Sequence, residues 1–225
     1  LCSMNKLVIV GCGRLADIIT NAVVKGMLPD YELVGVYSRT ASKAERIANK
    51  MRQHGKMCAA CHTLKELLEL KPDYLVESAS PAAMKELALP TLENGTSIIT
   101  LSIGALADTS FYEKVKETAK ANDTRVYLVS GAIGGFDVLR TTSLMGNATA
   151  RFFNKKGPDA LKGTSVYKEE LQQERCIVFS GNATEAINVF PTKVNVSVAA
   201  SLASVGPDNM QVSIQSTPGF TGDTQ

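Results

Sequence analysis

The chain has 225 residues, 44% of them hydrophobic and 20% charged, with a formal net charge of +2. That length can bury the core of one large or two small domains, and so even a charge balance gives no electrostatic ground for nucleic acid or a membrane surface as partner. The longest apolar runs, such as Leu7–Val10 and Ile98–Leu101, are too short to span a bilayer, and with no charged-then-apolar leader ahead of the first strand the expected location is cytoplasmic.

Leu1–Ser3, ahead of Met4, read as an expression remnant. Lys6–Val10 then reads as a strand and runs straight into Gly11-Cys12-Gly13-Arg14-Leu15-Ala16 and a helical stretch. In that strand-turn-helix context the GxGxxA spacing is a dinucleotide-binding pattern. Gly11 permits the tight turn, Gly13 lets a pyrophosphate approach the backbone at the helix start, and Ala16 allows close helix–strand packing. Arg14 and Leu15 fall in the same turn and count with it as cofactor contacts; the bland alternative is a glycine turn without ligand. The second strand, Leu33–Tyr37, ends in Ser38-Arg39-Thr40 rather than in an Asp or Glu placed for a ribose 2′-hydroxyl. A small hydroxyl residue followed by arginine leaves room and positive charge for a 2′-phosphate, which favours NADP over NAD as cofactor. The alternative for Arg39 is a solvated side chain stacked on adenine.

Helical period next covers Lys43–Arg52. Cys58-Ala59-Ala60-Cys61-His62 has the spacing of a haem c attachment site, but haem attachment needs export, so a chance match at the end of a short strand is expected. Zinc would need a second ligand pair, and the only other histidine is His54, so no metal is expected. The 5 cysteines (Cys2, Cys12, Cys58, Cys61 and Cys176) are an odd number in an ordinary core-forming composition and fit a reducing compartment.

After the helical Leu64–Leu70, the strand Tyr74–Val76 exits through Glu77-Ser78-Ala79-Ser80-Pro81. After the helical Ala82–Glu93, the strand Ile98–Leu101 exits through Ser102-Ile103-Gly104-Ala105-Leu106-Ala107-Asp108. Both exits are small and polar and fall at the carboxyl edge of the sheet, where ligands bind in doubly wound folds; Ser80 before Pro81 equally suits a helix cap. The helical Phe111–Ala121 and the strand Val126–Val129 complete residues 4–130 as a doubly wound parallel α/β domain, because continuously apolar strands separated by helices imply a sheet covered on both faces.

That last strand hands over to Ser130-Gly131-Ala132-Ile133-Gly134-Gly135. So little side chain at a strand exit marks either a plain turn or a place where backbone must come close to a ligand. From residue 131 to 225 the rhythm changes: a strand-like Thr149–Phe153, a polar stretch Lys155–Glu174, a strand Cys176–Phe179, helical stretches Ala183–Val189 and Val194–Ser204, and a strand Met210–Gln215. This reads as a second, smaller α/β (α+β) domain with its own sheet. A final strand and helix are expected beyond the loop-like Ser216–Thr224.

The sequence resembles the L-aspartate dehydrogenase family, in which a Rossmann domain is followed by an α/β dimerisation domain. The matching pieces are GCGRLA at 11–16, ESASPAAMKE at 77–86, LSIGALAD at 101–108, SGAIGGFD at 130–137, GPDALKG at 157–163 and GNATEAINVFPTKVNVSVAASLA at 181–203. They occur in family order nearly end to end. The resemblance implies oxidation of L-aspartate to iminoaspartate with NAD(P), or the reverse from oxaloacetate and ammonia. It makes Ala79, Ser80 and Pro81 neighbours of the nicotinamide, and makes Ser130, Gly131, Ala132 and Gly134, with Asn195, walls of the site for a small amino or oxo acid. Missing side chains then leave space for ligands while backbone N–H groups stay as donors for a carboxylate.

Against the family pattern Phe-Pro-x-Asn-x-Asn-Val, this chain reads Phe190-Pro191-Thr192-Lys193-Val194-Asn195-Val196. Against a catalytic histidine in an Asn-x-His stretch after Asp-Pro, it reads Thr217-Pro218 and ends Asp223-Thr224-Gln225. Glutamine cannot titrate. Lys193 is then the candidate acid/base, with two other readings open: a carboxylate-binding cation, and an exposed lysine at a helix start. Two functions follow from these features. One is an NAD(P)-dependent amino-acid dehydrogenase; the other is an inactive NAD(P)-binding regulatory or redox-sensing homologue. A homodimer is expected, since the second domain's strands need a cover that the chain barely supplies.

Overall fold

The computed structural model describes residues 4–131, 133–221 and 223–224. The chain divides into two compact units, one made of the residues up to Ala105 together with Thr109–Val129, the other of Leu106–Asp108 with the residues from Ser130 onward.

In the first unit the elements run β1 (Asn5–Val10), α1 (Arg14–Val24), β2 (Tyr31–Tyr37), α2 (Ala41–Gln53), β3 (Ala59–Cys61), α3 (Leu64–Glu69), β4 (Tyr74–Glu77), α4 (Pro81–Glu93), β5 (Ser97–Thr100), α5 (Thr109–Ala121) and β6 (Val126–Leu128). The strands are all parallel, in the order β3-β2-β1-β4-β5-β6. The chain therefore winds outward from β1 to β3, then returns to place β4 on the other side of β1. That reversal is the switch point of a Rossmann sheet, where the connections that leave β1 and β4 diverge and leave a crevice at the carboxyl edge. Burial explains why the strands carry unbroken apolar runs: Leu7, Val8, Ile9 and Val10 are all buried. Helix α2 follows the other period, burying Ala44, Ile47, Ala48 and Met51 along one face against Ile9, Leu33 and Val36.

The second unit holds α6 (Phe136–Leu144), β7 (Arg151–Lys156), β8 (Cys176–Asn182), α7 (Ala183–Val189), α8 (Asn195–Leu202), β9 (Gln211–Ser216) and β10 (Asp223–Thr224). Its sheet runs β10-β7-β9-β8, with β7 and β9 parallel and the other pairs antiparallel. The smaller mixed sheet and its helices match the expected second α/β unit. Phe152, Leu161, Phe190, Val212 and Ile214 centre its core. Helix α7 starts with a reciprocal cap: the Asn182 side chain accepts from Glu185 N, and the Glu185 side chain accepts from Asn182 N, both at 2.8 Å.

Several elements differ from the sequence reading: β8 runs past Phe179 to Asn182, and β10 forms at the end of the stretch read as loop-like. The strand expected at Thr149–Phe153 spans Arg151–Lys156, and its end is not marked by apolar residues because Asn154 and Lys156 take the buried inward positions after Phe152. Helix α6 was not expected at all. None of its residues is fully buried, and its inward edge is no more than the half-buried Phe136 and Leu139 packed on the core, too short a stripe to mark it; Thr141, Thr142 and Ser143 turn their hydroxyls back onto the carbonyls of Asp137, Val138 and Leu139. Among the described residues no helix is long and apolar enough to cross a membrane.

Phe190 is fully buried and meets Phe179 edge to face at 5.8 Å between ring centroids. Phe190→Ala is expected to destabilise the second unit by about 3–5 kcal/mol, read as a lower denaturant midpoint for a probe placed in that unit.

Candidate functional site

The turn after β1 is held from both sides. Gly11 N donates to Tyr37 O at the end of β2 at 2.9 Å, and Ser78 N donates to Val10 O at 2.9 Å. The Ser78 hydroxyl adds a bond to Gly11 O at 2.8 Å. Gly11 has φ +94°, and a Cβ there would sit 2.7 Å from the Ala79 nitrogen and from the Ser78 carbonyl carbon. Glycine is required here twice over, by conformation and by the approach of backbone to backbone. Gly13 differs. It precedes α1 at φ −92° with no side-chain cap, and nothing lies within 4 Å of where its Cβ would be. Space is kept open where the first-turn N–H groups of α1 need a partner. Ala16 is fully buried under the same turn, while Arg14 and Leu15 are exposed beside it.

Gly11 and Gly13 line a cavity of about 340 Å³ that continues along Ser38, Arg39 and Thr40 to Lys43 and reaches Ala79 on the far side. The pyrophosphate and ribose candidates thus share one cavity. Lys43 was missed by the sequence reading, although it lies only four positions after Arg39, a spacing that α2 brings back to the end of β2. Electrostatics at the corner suit an anion. Burial pushes the Cys12 thiol up to about 11, so it stays neutral near pH 7 and repels no phosphate. Asp17, in the first turn of α1, is held below the usual carboxylate range by its hydrogen bond with Arg46. Arg46 grips both Asp17 oxygens at 2.6 and 3.0 Å and also reaches Cys12 O at 3.3 Å. Its charge offsets the carboxylate beside the turn.

Across the switch point, Ser80 accepts a hydrogen bond from Ala83 N at 3.1 Å and Pro81 opens α4. Their capping role is therefore real. The two exits are tied by Glu77, which is fully buried. Its carboxylate accepts from the main-chain N–H of Ala79, Ser80 and Ser102 and from the hydroxyls of Thr100 and Ser102, at 2.8–3.2 Å. The sequence shows this acid only as a polar break in a strand exit.

The remaining candidates fall in the second unit, apart from Ala132 and Gln225, which lie outside the described residues. Ser130, Gly131 and Gly134 are exposed. Gly131 has φ +64° and packs beside Val196 of α8, next to Asn195, the first residue of that helix. Gly134 has nothing within 4 Å of a Cβ position. The turn therefore uses glycine for conformation at one place and for open space at another. Lys193 is half-buried, and its ammonium donates to the carbonyls of Ala160 and Lys162. Cys58 and Cys61 are buried in and beside β3, with the Cys58 thiol pushed up to about 12 by burial. Among the described residues, no group of three or more His, Cys, Asp or Glu side chains is placed to hold a metal.

Residues 11–129 match the family described as homoserine dehydrogenase, NAD binding domain, and residues 137–225 match aspartate dehydrogenase, C-terminal. The chain is 35% identical over 209 residues to an L-aspartate dehydrogenase of Methanocaldococcus jannaschii, covering 91% of this chain and 76% of that one. It is 32% identical over 213 residues to the L-aspartate dehydrogenase of Methanococcus maripaludis, covering 93% and 78%. The chain belongs to the L-aspartate dehydrogenase family. The crystal structure of aspartate dehydrogenase from Thermotoga maritima superposes with a TM-score of 0.74 at 26% identity, covering 97% of this chain and 81% of that one. The family's two-part organisation thus accompanies the corner at Gly11–Ala16 and the sheet of β7–β10.

The two glycines of the corner separate folding from binding. Gly11→Ala is expected to cost about 1–3 kcal/mol of stability through its positive φ alone, and more from the contact with Ala79. Gly13→Ala should leave the melting temperature unchanged. Calorimetric melting of both variants checks the contrast.

Proposed function

We propose that the chain is an NAD(P)-dependent oxidoreductase of the L-aspartate dehydrogenase type, moving hydride between the nicotinamide and the amine-bearing carbon of L-aspartate or a related small amino acid. The observation that carries the proposal is the corner at Gly11–Ala16. It combines an uncapped helix start, an open position at Gly13 and a cavity running to the end of β2. These residues fit a dinucleotide: the pyrophosphate would rest on the α1 N-terminus, and Gly13 leaves it room. When bound, the nicotinamide supplies or accepts the hydride.

The protein's own part is binding, orientation and proton handling. Ser38, Arg39 and Lys43 line the ribose end of the cavity, and two cations there favour a 2′-phosphate, hence NADP over NAD. In the second unit, the Ser130–Gly135 backbone and Asn195 are proposed to orient the substrate carboxylates. Lys193 spends N–H groups on the carbonyls of Ala160 and Lys162, which supports a role in holding the start of α8, and with it Asn195, in place. That observation also keeps the binding-only alternative under test, since Lys193 was the titratable candidate for proton transfer.

The proposal extends to a homodimer in a reducing, cytoplasmic setting. Phe153 of β7 and Ile177 of β8, on either side of β9, are 49% and 50% exposed, a face that a second copy would cover. Cys12, Cys58, Cys61 and Cys176 are all free thiols, as such a compartment maintains.

Mixing the protein with NADPH, ammonia and oxaloacetate should consume NADPH absorbance; binding without turnover across a panel of 2-oxo acids would support the regulatory alternative. Removing both cations in Arg39→Ala/Lys43→Ala should weaken NADPH binding by about ten- to a hundred-fold, the worth of one charge-assisted hydrogen bond, with NADH binding little changed. An unaltered NADPH to NADH ratio would remove both residues from cofactor selection.

A further inference from the structure

We propose that Glu77 is the positioning residue for the nicotinamide half of the bound dinucleotide, a buried carboxylate that fixes the two strand exits over which that half lies. The inference rests on the nucleotide reading above and adds a residue which that reading does not use. In a sheet ordered β3-β2-β1-β4-β5-β6, a dinucleotide crosses the switch point. With the adenosine end on β2 and the pyrophosphate at the start of α1, the other half must lie over the exits of β4 and β5.

Pairing of β4 with β5 reaches its last register at Glu77 and Thr100, with a final rung from Leu101 N to Glu77 O at 3.0 Å. Beyond that rung the ladder no longer joins the exits, and the Glu77 side chain takes over. Oε1 accepts from Ala79 N at 2.8 Å, Ser80 N at 3.0 Å and the Ser102 hydroxyl at 3.0 Å. Oε2 accepts from the Thr100 hydroxyl at 2.9 Å and Ser102 N at 3.2 Å. The main-chain N–H groups can only donate, and an acceptor-only carboxylate matches the whole set.

A buried carboxylate is a costly way to stabilise a core, where a packed apolar side chain serves as well or better. Here its bonds go to the backbone of residues 79, 80 and 102, which form the exits themselves. Ala79 also lines the nucleotide cavity. The arrangement holds a wall at fixed spacing, as preorganised sites require.

Glu77→Gln keeps the shape but replaces one acceptor oxygen by an amide N–H, which faces the main-chain N–H of Ala79 and Ser80 or that of Ser102, none of which can accept, so the exits should spread. Calorimetric titration with 2′-phospho-ADP-ribose, which lacks the nicotinamide, and with NADPH separates the halves. Glu77→Gln should bind 2′-phospho-ADP-ribose within about two-fold of the unsubstituted protein and lose about ten-fold or more for NADPH, the scale of one lost charged hydrogen bond. Its kcat should fall as well. Ser102→Ala, which removes a single donor to the carboxylate, should show the same split at up to about ten-fold. Equal weakening of both ligands, or of neither, would overturn the inference. Should Glu77→Gln fail to fold, Ser102→Ala decides alone, and an unchanged ratio there overturns it. If the unsubstituted protein binds neither ligand, the nucleotide reading itself falls.

Discussion

Gly11 and the Ser78–Ala79 backbone meet so closely that not one further carbon atom fits between them, and the rest of the first unit is arranged around that contact. It exists because β1 and β4 are neighbours at the point where the sheet reverses direction. The same contact fixes where the turn ends, and so where α1 begins. An uncapped helix start then faces open space at Gly13, with positive charge from Arg39 and Lys43 farther along the cavity. A chain with a side chain at position 11 would have to separate the exits and would lose the site's spacing along with its stability.

Three acidic or ionisable groups around this corner are held in check in different ways. Asp17 is offset by Arg46, Cys12 is kept neutral by burial, and Glu77 is surrounded by donors from two exits. Left unmatched, any of them would oppose a diphosphate or disturb the backbone that receives it. The second unit follows a different economy. Its glycines shape an exposed turn beside α8, and Lys193, two residues before that helix, donates to the carbonyls of Ala160 and Lys162. The lysine that stands out against the family pattern has its ammonium on two main-chain carbonyls in this arrangement.

Much of this was legible in the sequence where burial is one-sided or complete. β1, β2, β4 and β5 show as apolar runs because both faces of the sheet are covered, and α2 shows because a single face is buried. The glycine fingerprint pointed to its own geometry, since each glycine has a distinct physical requirement. Helix α6 was illegible because only the half-buried Phe136 and Leu139 face the core, and the end of β7 because Asn154 and Lys156 take the inward positions that apolar residues usually mark. Glu77 could not be read either. Its partners Thr100 and Ser102 lie 23 and 25 residues away and meet it only once the register of β4 against β5 is known. Lys43 was hidden for a similar reason, since its place in the cavity depends on how α2 leaves β2.

The most direct measurement is amide hydrogen exchange with and without saturating NADPH, resolved to single residues. Slowed exchange at Gly13–Ala16 together with Ser38–Thr40 is the expected result, because a diphosphate on the first turn of α1 and a phosphorylated ribose at the end of β2 shield those N–H groups. Unchanged exchange at Gly13–Ala16 while NADPH is bound would place the nucleotide elsewhere and contradict the assignment of this corner.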